Sequence, residues 1–267
     1  MKKNYGLIIV PRDPLDYEYQ LGASKIHKVI HRPNGQWDKD FPEGEIQRKN
    51  ETETSSCVSF GTLNITEILE KVKFNSVSNY ADRYLAIVSN TSPSGNDPKK
   101  VAQAFRDKGA IPEELLPFSE DIKSQIEYLS PNPLPSEYTN EGKSWLKRYE
   151  ISYEWVKTDP KHLMEELQYS PLGISVEAWQ QDENSLYYSE GGNDNHWTVL
   201  GGYKENEYWL IYDSYSGTGG SYCKKLRWDY PFGLAMSYSL KKKETQEEKK
   251  GFWRQLLEAL FGSNRIQ

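Results

Sequence analysis

The chain has 267 residues, a charged fraction of 27% and a formal net charge of −6 at pH 7. This length can bury one large core or two small ones, and the acidic balance argues against a nucleic-acid partner. Two cysteines, Cys57 and Cys223, are too few for a disulfide-built scaffold, so we expect free thiols and a reducing compartment such as the cytoplasm. The two cysteines and four histidines show no paired ligand spacing, so we expect neither metal nor cofactor.

Residues 1–50 are rich in Pro, Gly and charge, which predicts a segment that wraps over a body formed by later residues. The apolar run after Tyr5 is interrupted by Pro11 and a charge pair. It is too short for a signal-peptide core or a membrane span, so neither is expected.

Residues from about 51 to 130 have a helical pattern. Apolar side chains recur at helix spacing after Cys57, namely at Val58, Leu63, Ile65, Ile68, Leu69 and Val72. A second helix is predicted from Pro98 to Lys108, where Gly109 stops it. These residues are predicted to form a helical lobe.

Residues from about 131 to 240 are predicted to form a β-rich lobe. The runs LGISVEA, HWTVLGGY and EYWLIYDSY are rich in β-formers and punctuated by glycine. One helix interrupts them, because Asp159 can cap it and Pro160 suits its first turn. A helical lobe followed by a sheet lobe predicts an α+β protein, with residues 1–240 as one domain.

The end of the chain differs from both lobes. Residues 241–250 form a charged run that predicts a solvated linker. Residues 251–267 predict an amphipathic helix, whose apolar stripe consists of Phe252, Trp253, Leu256, Leu257, Leu260 and Phe261. A helix this short needs a surface for its stripe. That surface is its own domain, a partner protein or a membrane.

Cys57 stands at the predicted start of the first long helix, after Ser55 and Ser56 as candidate caps. A thiol is largely protonated near neutral pH unless its surroundings lower its pKa, and a helix N-terminus favours the thiolate. The backbone N–H groups there can also receive an oxyanion that develops on an attacked carbonyl. Cys57 is therefore a candidate nucleophile, although a buried helical cysteine more often only fills the core.

His196 is the candidate base for this thiol. It follows the turn GGNDN and opens a predicted strand, and the next strand ends at Asp213. A hairpin centred on residues 204–207 separates the two strands, so antiparallel pairing brings His196 and Asp213 together. An acceptor on one ring nitrogen fixes the tautomer and leaves the other nitrogen for the sulfur.

Several segments, in order, resemble papain-like cysteine peptidases. SSCVSFGTLNITEI resembles the nucleophile helix of that family, and SPSGND with KGAIPEELLPF resembles its glycine-containing cleft segment and the stretch that follows. PLGISVEAW and NHWTVLGGYKENEYWLIYDSYSG resemble the strands around the histidine and its orienting residue. The resemblance spans roughly Trp37 to Leu240. It implies a helical lobe and an antiparallel sheet or barrel lobe, with the active site in the cleft between them.

The resemblance also implies a role for each site residue. Cys57 would be the nucleophile, His196 the acid and base, and Asp213 the residue that orients the imidazole. Asp213 stands where papain has Asn, and a carboxylate should hold the imidazolium more strongly than an amide. Tyr215 takes the place of the tryptophan that shields this hydrogen bond. No long inhibitory propeptide precedes Trp37, so a lysosomal-style zymogen is not expected.

The oxyanion side departs from the family pattern. The family's glutamine lies six residues before the cysteine, where this chain has Glu51. An anionic Glu51 would oppose an oxyanion. Gln47 is therefore the oxyanion candidate, which requires the intervening loop to bulge.

Three functions agree with these residues. The favoured one is a cysteine peptidase that hydrolyses peptide or protein substrates through a thioester acyl-enzyme. The same residues support acyl transfer, as in transglutaminases or amidases. The third is a binding protein that retains the fold while catalysis is impaired, with Glu51 and the changed shielding residue as signs of decay.

Overall fold

The computed structural model describes residues 4–12, 29–49 and 51–243. The predicted linker 241–250 falls mostly outside these ranges, and the predicted amphipathic helix 251–267 falls entirely outside them. Both therefore stay predictions. Within the described ranges, no helix is long and apolar enough to cross a membrane.

The helices lie mostly in the first half of the chain. Their bounds are α1 Cys57–Phe74, α2 Asp82–Val88, α3 Pro98–Lys108, α4 Gln125–Tyr128, α5 Ser136–Arg148 and α6 Pro160–Glu166. The predicted bounds of α3 are confirmed, because Asp97 accepts from the Lys100 N–H at 3.1 Å and Gly109, with a φ of 74°, ends the helix. The predicted start of α6 is also confirmed, with Asp159 as its cap. Helix α5 lies inside the range predicted to be β-rich and packs against α3.

One large sheet forms the other layer. Strands β1 Arg48–Lys49 and β2 Thr52–Glu53 form a separate two-stranded sheet. The strands of the large sheet are β3 Tyr149–Val156, β4 Leu172–Val176, β5 Gln180–Gln181, β6 Tyr187–Tyr188, β7 His196–Lys204, β8 Tyr208–Tyr212, β9 Cys223–Arg227 and β10 Ala235–Lys242. The strand order is β3-β10-β4-β7-β8-β9-β6-β5, and among the described strands only β6 and β9 pair in parallel. The predicted α+β class is confirmed. The sheet is mixed and open instead of an antiparallel barrel, because β3 and β5 lie at its opposite ends.

Helix α1 lies against the sheet and carries Cys57 at its first position. It contacts β7, β4 and β10, and its residues from Cys57 to Glu70 are all buried. Gly61 permits the close approach to β7, because a Cβ there would lie 2.8 Å from Cδ1 of Trp197. The helix ends at Asn75, whose φ of 52° turns the chain away. Cys57 is thus held by a rigid, buried element.

Strands β7 and β8 form the predicted hairpin. Lys204 pairs with Tyr208, and Asn206 supplies the left-handed turn position with a φ of 62°. Because β8 ends one residue before Asp213, the hairpin brings that carboxylate beside His196 at the start of β7. The expected approach of these two residues is confirmed.

Candidate active site

The Cys57 thiol is completely buried. Its sulfur accepts hydrogen bonds from the backbone N–H groups of Trp197 and Val58, so it lies against the chain one residue beyond His196. Burial raises the pKa of the Cys57 thiol far above its ordinary value, and the nearby negative charge of Asp213 raises it further. In this state the residue is a protonated thiol.

The serines before Cys57 do not cap the helix with their side chains. Ser56 occupies the N-cap position without a side-chain cap bond. Ser55 has a φ of 53°, and its hydroxyl donates to the Pro93 carbonyl at 3.0 Å. Neither the Ser55 nor the Ser56 hydroxyl therefore caps the first backbone N–H groups of α1.

His196 and Asp213 form a buried pair. Nε2 of His196 lies 2.6 Å from Oδ1 of Asp213, and both side chains are inaccessible to solvent. Among the described residues, Nδ1 of His196 has no hydrogen-bond partner. The neutral imidazole therefore carries its proton on Nε2, which donates to Asp213, and Nδ1 is the acceptor nitrogen on the other side of the ring.

A third charged group, Lys224, joins this pair. Its Nζ lies 2.6 Å from Oδ2 of Asp213 and also donates to the Tyr215 carbonyl. Burial pushes the pKa of Asp213 upwards, but the positive charges and hydrogen bonds of His196 and Lys224 outweigh burial and hold it below the ordinary value. The sequence analysis missed Lys224, which lies within a run of basic residues on β9.

Gln47 reaches the site through a small hairpin. Strands β1, Arg48–Lys49, and β2, Thr52–Glu53, are paired between Gln47 and Cys57, and they take up the additional residues. Oε1 of Gln47 accepts from the Ser214 hydroxyl at 2.7 Å, next to Asp213. The loop thus bulges as the Gln47 assignment requires.

Glu51 lies away from the site. It has a φ of 66° at the turn of this hairpin, is exposed and pairs with Arg48. A different carboxylate, Glu53, stands beside Gln47 instead, with 3.1 Å between its Oε1 and Nε2 of Gln47. The acidic residue near the oxyanion candidate is therefore Glu53, which the sequence analysis did not single out.

Aromatic rings surround His196. The Tyr215 ring lies edge-on, 5.5 Å from the imidazole between centroids, and the Trp179 ring lies at 5.7 Å. The Tyr215 hydroxyl donates to Glu53 at 2.7 Å, and burial followed by the Glu53 charge raises its pKa. Two aromatic rings thus lie beside the imidazole, and the shielding role predicted for Tyr215 stays a prediction.

The chain's own N-terminal segment, residues 4–8, covers the site. Tyr5 donates its N–H to the Asn195 carbonyl at 2.9 Å, and its carbonyl accepts from Nε2 of Gln47 at 3.0 Å. Its ring lies 5.5 Å from the His196 imidazole. Ile8 and Gly6 continue the contact, because the Ile8 N–H donates to the Asn96 carbonyl and the Asn96 N–H donates to the Gly6 carbonyl, both at 2.9 Å. A short segment thus occupies the cleft, which the sequence analysis did not predict beyond a general wrapping segment.

The described residues contain no group of three or more His, Cys, Asp or Glu side chains that could hold a metal ion. The polar groups that lie together here are Cys57, His196 and Asp213, with Gln47 and the N-terminus of α1 beside them.

Together, the helix that carries Cys57, the facing sheet and the cleft between them define a papain-like fold. No family model and no curated protein sequence matches the chain. Solved structures do. Xylellain, a cysteine protease from Xylella fastidiosa, matches with a TM-score of 0.62 and 16% identity, over 92% of this chain and 99% of that chain.

Two further solved structures have the same fold. Digestive procathepsin L 3 from the larval midgut of Tenebrio molitor matches with a TM-score of 0.56 and 17% identity, over 76% of this chain and 68% of that chain. The bromelain protease from Ananas comosus, in complex with the E64 inhibitor, matches with a TM-score of 0.55 and 14% identity, over 77% of this chain and 98% of that chain. At these identities the likeness establishes the fold, and function depends on the site itself.

Proposed function

We propose that this chain is a cysteine peptidase with Cys57 as nucleophile, His196 as acid and base, and Asp213 as orienting residue. The observation that carries the proposal is the 2.6 Å contact between Nε2 of His196 and Oδ1 of Asp213, together with the unpartnered Nδ1 among the described residues. This arrangement leaves one ring nitrogen for the Cys57 proton, as a cysteine–histidine pair requires.

The proposed reaction has two covalent stages. His196 takes the proton of Cys57, and the sulfur attacks the peptide carbonyl carbon to form a C–S bond. The imidazolium then gives its proton to the leaving nitrogen as the C–N bond breaks, which leaves a thioester. Water attacks the thioester with His196 as base, the C–S bond breaks, and the carboxylate product and the thiol are released.

Gln47 is the proposed oxyanion donor. Its Nε2 already binds a main-chain carbonyl, that of Tyr5, at 3.0 Å, and the Ser214 hydroxyl holds its Oε1. The negative charge of Glu53 is partly dispersed because the Tyr215 hydroxyl lies 2.7 Å from both of its oxygens. When a substrate displaces Tyr5, the same Nε2 can donate to the oxyanion.

The test is cleavage of a diverse peptide library by the wild type, Cys57→Ala and Cys223→Ala. Cys223 is the matched control because it is the other free cysteine and is exposed. Cleavage that Cys57→Ala abolishes and Cys223→Ala retains supports the proposal. Each measurement is repeated in the Gly6→Ala background, which should uncover the cleft. A further set contains an added amine, so that products carrying this amine would reveal acyl transfer. Absence of Cys57-dependent cleavage in both backgrounds rejects the peptidase.

A binding protein with impaired catalysis is the second candidate. Two observations favour it: the Cys57 thiol is fully buried with a raised pKa, and Glu53 lies beside Gln47. Iodoacetamide labelling in the Gly6→Ala background separates the two functions. A Cys57 that reacts no faster than Cys223 after the cleft is uncovered, in a chain that cleaves no peptide, supports the binding protein.

A further inference from the structure

The Asp213 carboxylate is shared by two partners, one at each oxygen. Oδ1 contacts Nε2 of His196, and Oδ2 contacts Nζ of Lys224, each at 2.6 Å. The Lys224 side chain is 2% exposed, so its charge is not screened by water. Burying an unpaired ammonium or carboxylate is costly, and each of these groups removes that cost for the other.

Lys224 is held in this position by three further features. It pairs with Ile211 in the antiparallel register of β8 and β9. Its Nζ donates to the Tyr215 carbonyl and lies 5.4 Å from the centre of the Trp179 ring. Lys224 therefore contacts both aromatic residues beside His196, through the main-chain carbonyl of Tyr215 and the ring of Trp179. A side chain with this many fixed contacts has one geometry, which is what orientation of a carboxylate demands.

The net charge of the Asp213–Lys224 pair acts on the nearby imidazole of His196 and thiol of Cys57. A lone buried carboxylate would add a full negative charge beside the imidazole and the thiol, whereas papain has a neutral amide at this place. We propose that Lys224 is a positioning residue of the active site, which fixes Asp213 on His196 and cancels its charge, so that the Asp213–Lys224 pair acts as an uncharged acceptor. This inference rests on the proposed peptidase function.

With Lys224 beside it, Asp213 should hold the imidazolium less strongly than the sequence predicted for a lone carboxylate. One oxygen of Asp213 orients the ring, and Lys224 contacts the other oxygen, also at 2.6 Å, where its positive charge offsets that of the carboxylate. Other titratable groups near the pair are Cys57, Cys223, Glu53, Tyr5 and Tyr215. These stay unchanged in the variants below.

The test compares Asp213→Asn, Lys224→Met and the double variant in the full chain. Lys225→Met is the control, because Lys225 is the next residue on β9 and is exposed. Asp213→Asn leaves a buried ammonium, and Lys224→Met leaves a buried carboxylate. The double variant leaves neither, so its kcat/KM should exceed that of Asp213→Asn by about tenfold, as expected for strongly coupled neighbours. Lys225→Met should match the wild type.

The pH profile separates this role from mere stabilisation. Loss of the Lys224 charge favours the imidazolium and disfavours the thiolate, so both limbs of kcat/KM should move to higher pH in Lys224→Met. Asp213→Asn should move them to lower pH, and the double variant should restore the wild-type position. Lys224→Arg, which keeps the charge, should keep the wild-type profile. If the variants lower only the urea midpoint of unfolding and leave both limbs of the pH profile of kcat/KM unchanged, the proposal is wrong.

The pH dependence of Cys57 alkylation provides the same readout without peptidase activity. Because Cys223 adjoins Lys224, rates are referenced to an added unstructured cysteine peptide. Opposite shifts in the two single variants support the Lys224 role even if no peptide is cleaved, in which case only the peptidase proposal fails. Identical alkylation profiles in a chain that cleaves peptides overturn the Lys224 role alone.

Discussion

Gly6→Ala should open the site without altering any residue of the cleft. Gly6 has a φ of 111°, which side-chain-bearing residues rarely adopt, and a Cβ there would overlap the backbone carbonyl of Ser55. A backbone group cannot rotate away as a side-chain tip can. The substituted segment therefore has to leave its place beside His196.

The size of the effect follows from the contacts of the segment. At least five hydrogen bonds between described residues hold the segment in place, at about 0.5–1.5 kcal/mol each. Asn4 donates to the Ser94 carbonyl, Tyr5 donates one bond and accepts another, the Gly6 carbonyl accepts one, and Ile8 donates one. Burial of Leu7 adds roughly 1.5–3 kcal/mol. Ordering the backbone of residues 4–8 costs about 1–2 kcal/mol per residue, so the favourable and unfavourable contributions nearly cancel and the closed state is favoured by at most a few kcal/mol. Backbone strain of about 1–3 kcal/mol would raise the open population by roughly 5- to 150-fold.

The assay is iodoacetamide alkylation followed by mass spectrometry of both cysteines. Cys57 should react about 5- to 150-fold faster in Gly6→Ala, while the exposed Cys223 reacts at the wild-type rate and serves as internal reference. Gly191→Ala is the control, because Gly191 also has a positive φ, of 80°, but nothing lies within 4 Å of its Cβ position. An unchanged Cys57 rate in folded Gly6→Ala would refute the conclusion that residues 4–8 limit access to the thiol.

Three further predictions concern the oxyanion donor, pH and packing. Gln47→Ala should lower kcat by about 10²- to 10³-fold, whereas Arg48→Ala in the same hairpin should not. Burial raises the pKa of Glu113 from 4.5 to about 7, so the folded state retains a proton that the unfolded state releases, and stability falls as pH rises through this window by up to about 3 kcal/mol. Urea unfolding should show Glu113→Gln gaining stability over the wild type at about pH 8 and not at about pH 4.5. Gly173→Ala should cost about 1–3 kcal/mol in the same assay, because its Cβ would meet Nε1 of Trp197 at 2.8 Å.

Local signals in the sequence predicted the elements that carry the proposed triad. The bounds of α3 follow from a capping aspartate, a proline in the first turn and a terminating glycine, all within the helix or next to it. The approach of Asp213 to His196 follows from counting residues across one hairpin. Such features depend on neighbours in sequence, so they can be predicted without knowledge of the rest of the fold.

The oxyanion side required a choice that spacing alone could not make. Glu51 stands at the family's position when residues are counted, but the β1–β2 hairpin removes it from the site and places Gln47 there. The sign of the charge favoured Gln47 as the candidate, because a carboxylate opposes an oxyanion. The same argument did not reveal Glu53, whose approach depends on how the hairpin folds back onto Tyr215.

Tyr5 was missed because its partners are distant in the sequence. The segment of Tyr5 pairs with residues near Asn96 and Asn195, and no periodicity in the sequence connects these places. Lys224 did leave a signal. Along β9 exposed and buried residues alternate, and Lys224 shares its buried face with Leu226. A lysine on the apolar face of a strand requires a buried anion. Asp213 directly follows the neighbouring strand β8 and is the anion closest to Lys224 in the β8–β9 pairing. The contact can therefore be predicted once the pairing of these two strands is known.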